Sequence, residues 1–171
     1  MITEAKIAWL AGIIDGEGSI GIYPVTRRST KQGFVLIKQL EIANDNTVII
    51  QECVDIIHEI TGRQARLTYS KRDNRKFIHY AVSVNKIADL VKVLKAVEPY
   101  LIGKKSQAQI VINFFTHRIK GTKYTKLELE VSEILKQAKN DNKSLVDGNT
   151  EPSRDIKPSQ ACVETIQAQL L

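Results

Sequence analysis

Cysteine is scarce in this chain. Only Cys53 and Cys162 occur in 171 residues, and no Cys-x-x-Cys pair is present, which removes both a zinc ribbon and a disulfide framework from consideration. His58, His79 and His117 have no mutual spacing of the kind a zinc site or a catalytic triad needs, and His58 and His117 read as helix-surface residues. No apolar run approaches the roughly 18 residues of a membrane-spanning helix. The opening residues, Met1 to Lys6, include Glu4 and lack a signal-peptide pattern, so an intracellular, non-secreted protein is expected.

What is present describes one ordinary globular domain with a basic bias. Apolar residues make up 43% and charged residues 26% of the sequence, usual values for a folded domain of this size. Twenty-five Lys and Arg against nineteen Asp and Glu leave a net charge of +6, which favours an anionic partner. The charge is clustered. Arg63, Arg66, Lys71, Arg72, Arg75 and Lys76 stand against Asp73 alone, six cations against one acid for a local balance of +5. Arg27, Arg28 and Lys31 form a second cluster, Lys104 and Lys105 a third. Cys53 falls at an apolar position of a helical pattern and reads as core.

The apolar spacing predicts the order of elements. Thr3 caps a helix to about Asp15, with Ile7, Leu10, Ala11 and Ile14 as its apolar stripe. Ala8, Gly12 and Gly16 recur every four residues on it. Glycine inside a helix costs about 1 kcal/mol relative to alanine, so such a row implies a closely approaching backbone, in the same chain or in another. Strands are expected over about 19–28 and 34–43, with Gly33 in the turn between them. A helix follows over 47–61, stopped by Gly62, then strands over 65–72 and 77–84. Asn85 is read as the cap of a helix ended by Pro99, another helix spans 104–119, and Thr125 with Glu128 forms a capping box for a last clear helix to about Lys139. The expected architecture is α+β in the order αββαββα, a four-stranded antiparallel sheet with helices on one face and the other face open. Residues 1–140 form the domain. Residues 141–171 form a polar tail, with a short helix over 160–171.

The segment Leu10-Ala11-Gly12-Ile13-Ile14-Asp15-Gly16-Glu17-Gly18, at the end of the first helix, carries the chemistry. A carboxylate flanked by glycines there is placed to approach a neighbouring backbone. Two such helices side by side bring two carboxylates together, and these repel unless cations lie between them. Carboxylates bridged by divalent metals are the equipment of phosphodiester hydrolysis, and hard oxygen ligands favour magnesium. The segment resembles the signature of the LAGLIDADG homing endonucleases at the leucine, the alanine, both flanking glycines and both acidic positions. The resemblance spans about residues 3–120 and includes the αββαββα order.

That resemblance implies a site-specific DNA endonuclease cutting both strands, encoded within a mobile intron or a similar element in a microbial cytoplasm or an organelle. It makes Glu17 the metal ligand, with Gly16 supplying a backbone carbonyl, Mg2+ as cofactor and Mn2+ or Ca2+ as substitutes in binding. Asp15 is structural, near the helix end and the interface. Asn44, in Leu40-Glu41-Ile42-Ala43-Asn44, matches a position that orders water around the metals, although the run Asn44-Asp45-Asn46 also reads as a turn. Lys104, in Pro99-Tyr100-Leu101-Ile102-Gly103-Lys104-Lys105, matches the active-site lysine; simple phosphate contact is the competing reading. The motif has no second copy, so a homodimer is expected, with Ala8, Gly12, Asp15 and Gly16 at its interface. A non-cleaving RNA maturase or a DNA-binding regulator of the same fold is the alternative.

A strand advances ~3.3 Å per residue and duplex DNA ~3.4 Å per base pair. Each subunit's ribbon therefore follows about nine base pairs, and a dimer reads a nearly palindromic double-stranded target of roughly twenty. With Glu17 on the DNA side, strand parity selects Tyr23, Arg27, Gln39, Glu41, Thr68, Ser70, Arg72 and His79 as groove-facing residues. Val35 and Ile37 share that parity and otherwise read as a second small core.

Overall fold

The structure is a computed structural model and describes residues 2–70, 78–117, 123–124 and 126–144. Its elements are α1 (Glu4–Glu17), β1 (Gly18–Thr26), β2 (Phe34–Asn44), α2 (Thr47–Thr61), β3 (Arg66–Ser70), β4 (His79–Val84), α3 (Ile87–Val97), a 3-10 turn (Glu98–Tyr100), α4 (Lys105–His117) and α5 (Lys126–Ser144). The expected αββαββα order is present. The sheet is antiparallel with strand order β1-β2-β4-β3.

Local chemistry fixes most boundaries. The Thr3 hydroxyl accepts from the Lys6 N–H, and the Asn46 side chain accepts from the Val48 N–H, so α1 and α2 both begin on side-chain caps. Gly62 ends α2 at φ 73°, in the left-handed region that favours glycine. Gly33 also has φ 73°, and its carbonyl accepts from the Arg27 N–H at 2.7 Å, closing the β1–β2 hairpin.

Three boundaries depart from expectation. α1 continues to Glu17, two residues beyond Asp15, because the Gly18 N–H still reaches the Ile14 carbonyl despite the glycine at position 16. Glu17 is therefore the last residue of the helix and not one beyond it. Asn85 does not cap α3: the cap position is Lys86, with no side-chain hydrogen bond. α5 runs to Ser144, past Lys139 and across the expected boundary at 140, although Asn140, Asp141 and Asn142 are weak helix formers. Thr125 and residues 145–171, with Cys162 and the expected terminal helix, lie outside the described residues, as do Lys71, Arg72, Asp73, Arg75 and Lys76.

The core lies between the helices and one face of the sheet. Ile20, Ile22, Leu36, Leu40, Ile42, Val82 and Val84 come from the strands; Leu10, Ile14, Cys53, Ile56, Ile57, Leu90 and Leu94 come from the helices. Strand pairing is unbroken over nine residues from Gly18↔Ile42 to Thr26↔Phe34. A one-residue slip of β1 would turn Ile20 and Ile22 to the open face, at about 1.5–3 kcal/mol per side chain. For the two side chains that is about 3–6 kcal/mol, a large part of the stability of a domain. The parity of the open face is thus fixed by the covered one.

Candidate metal centre and nucleic-acid interface

α1 is apolar nearly all round, but only part of it faces its own core. Leu10, Ala11 and Ile14 are buried. Gly12 and Gly16 are exposed, and a Cβ built on either would meet nothing within 4 Å. Trp9 on the same helix is 38% exposed, and Ala8 and Ile13 are half-buried. Gly12 and Gly16 have no close neighbour among the described residues, so no tight contact among those residues explains them.

Glu17 ends this helix, exposed to solvent. Among the described residues its carboxylate makes no hydrogen bond or ion pair. A negative charge at a helix C-terminus is disfavoured by about 0.3–1 kcal/mol, because the helix dipole is negative there. The carbonyls of Gly16 and Glu17 lie in the same last turn, where no further helical donor follows. These oxygens together suit a hard divalent cation.

Asp15 behaves differently from its neighbour. Its carboxylate accepts from the Ile102 N–H at 2.7 Å and the Lys104 N–H at 2.8 Å. It thereby fixes the segment that leads into α4 against the end of α1. The Asp15 side chain, expected at the interface, is used within its own chain. The Lys104 ammonium donates to the Asp15 main-chain carbonyl, a cation at the negative end of the helix. Lys104 and Glu17 are therefore brought to the same helix terminus. Asn44 lies at that end of the sheet too, because β2 runs past the start of β1 at the Gly18↔Ile42 pair. Its side chain accepts from the Asn46 N–H at 2.8 Å, so it does form the expected turn.

The open face carries the residues of odd number in β1 and β2. Direct cross-strand pairs place Ser19 beside Glu41, Gly21 beside Gln39 and Tyr23 beside Ile37. Glu41 pairs onward with Ser83, and Ser83 with Arg66; Thr68 pairs with Ala81 and Ser70 with His79. Tyr23, Gln39, Glu41, Thr68, Ser70 and His79 therefore share one surface. Ile37 is 40% exposed and so belongs to no second core, while Val35 is half-buried. Arg27 is exposed in the hairpin turn beyond β1, and Arg72 lies outside the described residues. His79 Nδ1 is 2.7 Å from an Asp45 carboxylate oxygen, and the Thr68 hydroxyl donates to the Ala81 carbonyl at 3.3 Å.

Several groups were missed in the sequence. Arg66 and Ser83 follow from the parity that selected their neighbours. Asp45, the partner of His79, gives no signal across 34 residues of chain. At the outer edge of the sheet, Arg63, Arg66, Lys86 and the buried Asp89 line a cavity of about 210 Å³. It is assembled from α2, β3, β4 and α3, so no local motif announces it.

Models of known protein families and curated proteins both yield no match to this chain. Solved structures do match. The homing endonuclease I-CvuI, in complex with its target in the presence of calcium, is similar at 20% identity and a TM-score of 0.57, over 98% of this chain and 95% of that one. The archaeal intron-encoded homing endonuclease I-Vdi141I, complexed with DNA, matches at 17% identity and a TM-score of 0.55, over 96% of this chain and 98% of its own. The homing endonuclease I-TnaI matches at 13% identity and a TM-score of 0.52, over 99% of each chain. At these identities the likeness is one of fold.

Proposed function

We propose, from a chain with the LAGLIDADG homing-endonuclease fold, that this protein is a homodimeric, metal-dependent DNA endonuclease cutting both strands of a long, nearly palindromic target. The observation that carries the reading is Glu17: an exposed carboxylate with no partner among the described residues, at the disfavoured end of a helix that also exposes Gly12 and Gly16. A carboxylate is kept there at a cost to the isolated chain, which a bound cation reverses.

One chain carries one copy of the motif and supplies one Glu17 carboxylate. Among the described residues no group of three His, Cys, Asp or Glu side chains is placed to hold a metal ion. Pairing two copies along Ala8, Gly12 and Gly16 brings a second Glu17 to the first and covers the apolar face with Trp9. Glu17 and the Gly16 carbonyl would then hold Mg2+, with Mn2+ as a substitute. A metal held there would supply activation of water and stabilisation of the leaving oxygen. Lys104 offsets phosphate charge from the same helix end. Asn44 orders solvent beside it. The open face, continued by the partner, follows roughly twenty base pairs of major groove.

The test is cleavage of a plasmid library carrying randomised sites, with Mg2+ and with EDTA. Metal-dependent double-strand breaks at one nearly palindromic sequence support the reading. Tight binding to DNA or structured RNA without cleavage assigns the chain to a regulator or a maturase instead.

A further inference from the structure

Gly21 has no room for a side chain, and the obstacle is Tyr23. A Cβ at Gly21 would stand 2.2 Å from the tyrosine Cζ and hydroxyl and 2.6 Å from Cε2. The ring does not stand up from the strand at position 23. It lies along the open face with its tip over Gly21, and its hydroxyl is 3.4 Å from the Ser19 Oγ. Gly21 is consequently buried on the open face.

We propose that this folded-back tyrosine is a specificity determinant whose reading position is set by Gly21, two residues closer to Glu17 than its own place in the sequence. The inference rests on the DNA-binding reading above. Successive same-face positions are two residues apart, about 6.6 Å at ~3.3 Å per residue. At ~3.4 Å per base pair this displaces the phenol by about two base pairs toward the cleavage site. The strand pairing supplies an internal ruler, because Gln39 lies directly opposite Gly21 and Ile37 directly opposite Tyr23. Tyr23 therefore reads in the register of Gln39 and not in that of Ile37. Its hydroxyl both donates and accepts, so it tolerates either polarity at a base edge and selects through reach. Gly21 is a positioning residue: it touches no base and determines where the phenol goes.

The experiment profiles binding of the full chain to its selected target with each base pair substituted in turn, for Tyr23→Phe, Gln39→Ala and Ile37→Ala. Tyr23→Phe is expected to lose about tenfold discrimination, the size of one base contact, at the base pair affected by Gln39→Ala. Gly21→Ala is expected to lift the ring and move the tyrosine's effect to the base pair affected by Ile37→Ala. Loss at the Ile37 base pair in Tyr23→Phe itself, or no loss anywhere, overturns the inference while leaving the DNA-binding reading intact. A second measurement does not depend on DNA. In the free protein, proton NMR should show contacts between the Tyr23 ring and the Gly21 α-protons, abolished in Gly21→Ala. Their absence from the unmodified chain rejects the folded-back pose, whatever nucleic acid the protein binds.

Discussion

Glu17 and Asp15 differ by two positions and by nearly everything that decides their roles. Asp15 accepts two backbone N–H groups, whereas Glu17 accepts none among the described residues. Removing the Asp15 carboxylate loses both bonds, and because water can reach the Ile102 N–H the cost is on the order of 1 kcal/mol. Asp15→Ala is expected to lower the urea midpoint accordingly and to release Lys104 from the end of α1. Glu17→Gln should do the opposite: stability unchanged or slightly raised, since a charge at the wrong end of a helix is gone, DNA binding largely kept and cleavage abolished. Cleavage by that variant in a plasmid assay would remove Glu17 from the mechanism. Cys53 supplies a pH test. Burial pushes its thiol up from 9.0 to about 12. The native state thus favours the neutral thiol, so its contribution is complete below pH 9 and is lost as pH rises from about 9 toward 12, where the unfolded chain ionises first. Alkylation of Cys53, followed by peptide mass, should be negligible in the native protein at pH 8 and rapid in denaturant.

At the scale of the element, α1 separates what a chain needs to fold from what it needs to assemble. Nothing within 4 Å would meet a Cβ at Gly12. Gly12→Ala should therefore stabilise the isolated subunit by up to about 1 kcal/mol through helix propensity, while weakening the proposed dimer, which needs close backbone approach. Gly12→Leu should separate the subunits fully, and an intact dimer by light scattering contradicts the proposed interface. The single tryptophan, Trp9, sits on this face and reports the result independently. Its emission is expected to shift to the blue as the unmodified protein is concentrated, and not in Gly12→Leu. Elements were legible wherever a boundary is set by its own residues. The span of α2 follows from Asn46 and Gly62 around an apolar stripe, and the strand faces follow from alternation that no bulge interrupts. Asn85 misled because asparagine favours a cap that here has no side-chain bond to make. The motif made the candidate centre visible, with Glu17, Lys104 and Asn44 at one end of the fold. The grip of Asp15 on residues 102–104 and that of Asp45 on His79 depend on tertiary approach, which no local pattern encodes. The pose of Tyr23 was equally hidden: parity gives the face of a side chain but not its rotamer.

For the whole molecule, the question is how the basic surplus divides between steering and reading. The net charge of +6 is not spread evenly. Arg66 stands on the open face in the row Ser19, Glu41, Ser83. It also lines the edge cavity with Arg63 and Lys86, and none of the three has an ion pair among the described residues. Unpaired cations at the rim of a reading surface have little to do in the isolated chain, but a phosphate backbone crossing the sheet would pass beside them. Each phosphate neutralised contributes about −0.9 to the slope of log K against log salt. Arg66→Ala should make that slope shallower by about that amount with a duplex of unrelated sequence as much as with the target, because phosphate contacts position without specifying. Lys95, exposed on α3 on the helix side of the sheet, is the control, and Lys95→Ala should leave the slope alone. Equal losses from both substitutions would mean that the duplex senses only the total charge of the molecule, and the open face would lose its claim to be the surface on which DNA lies.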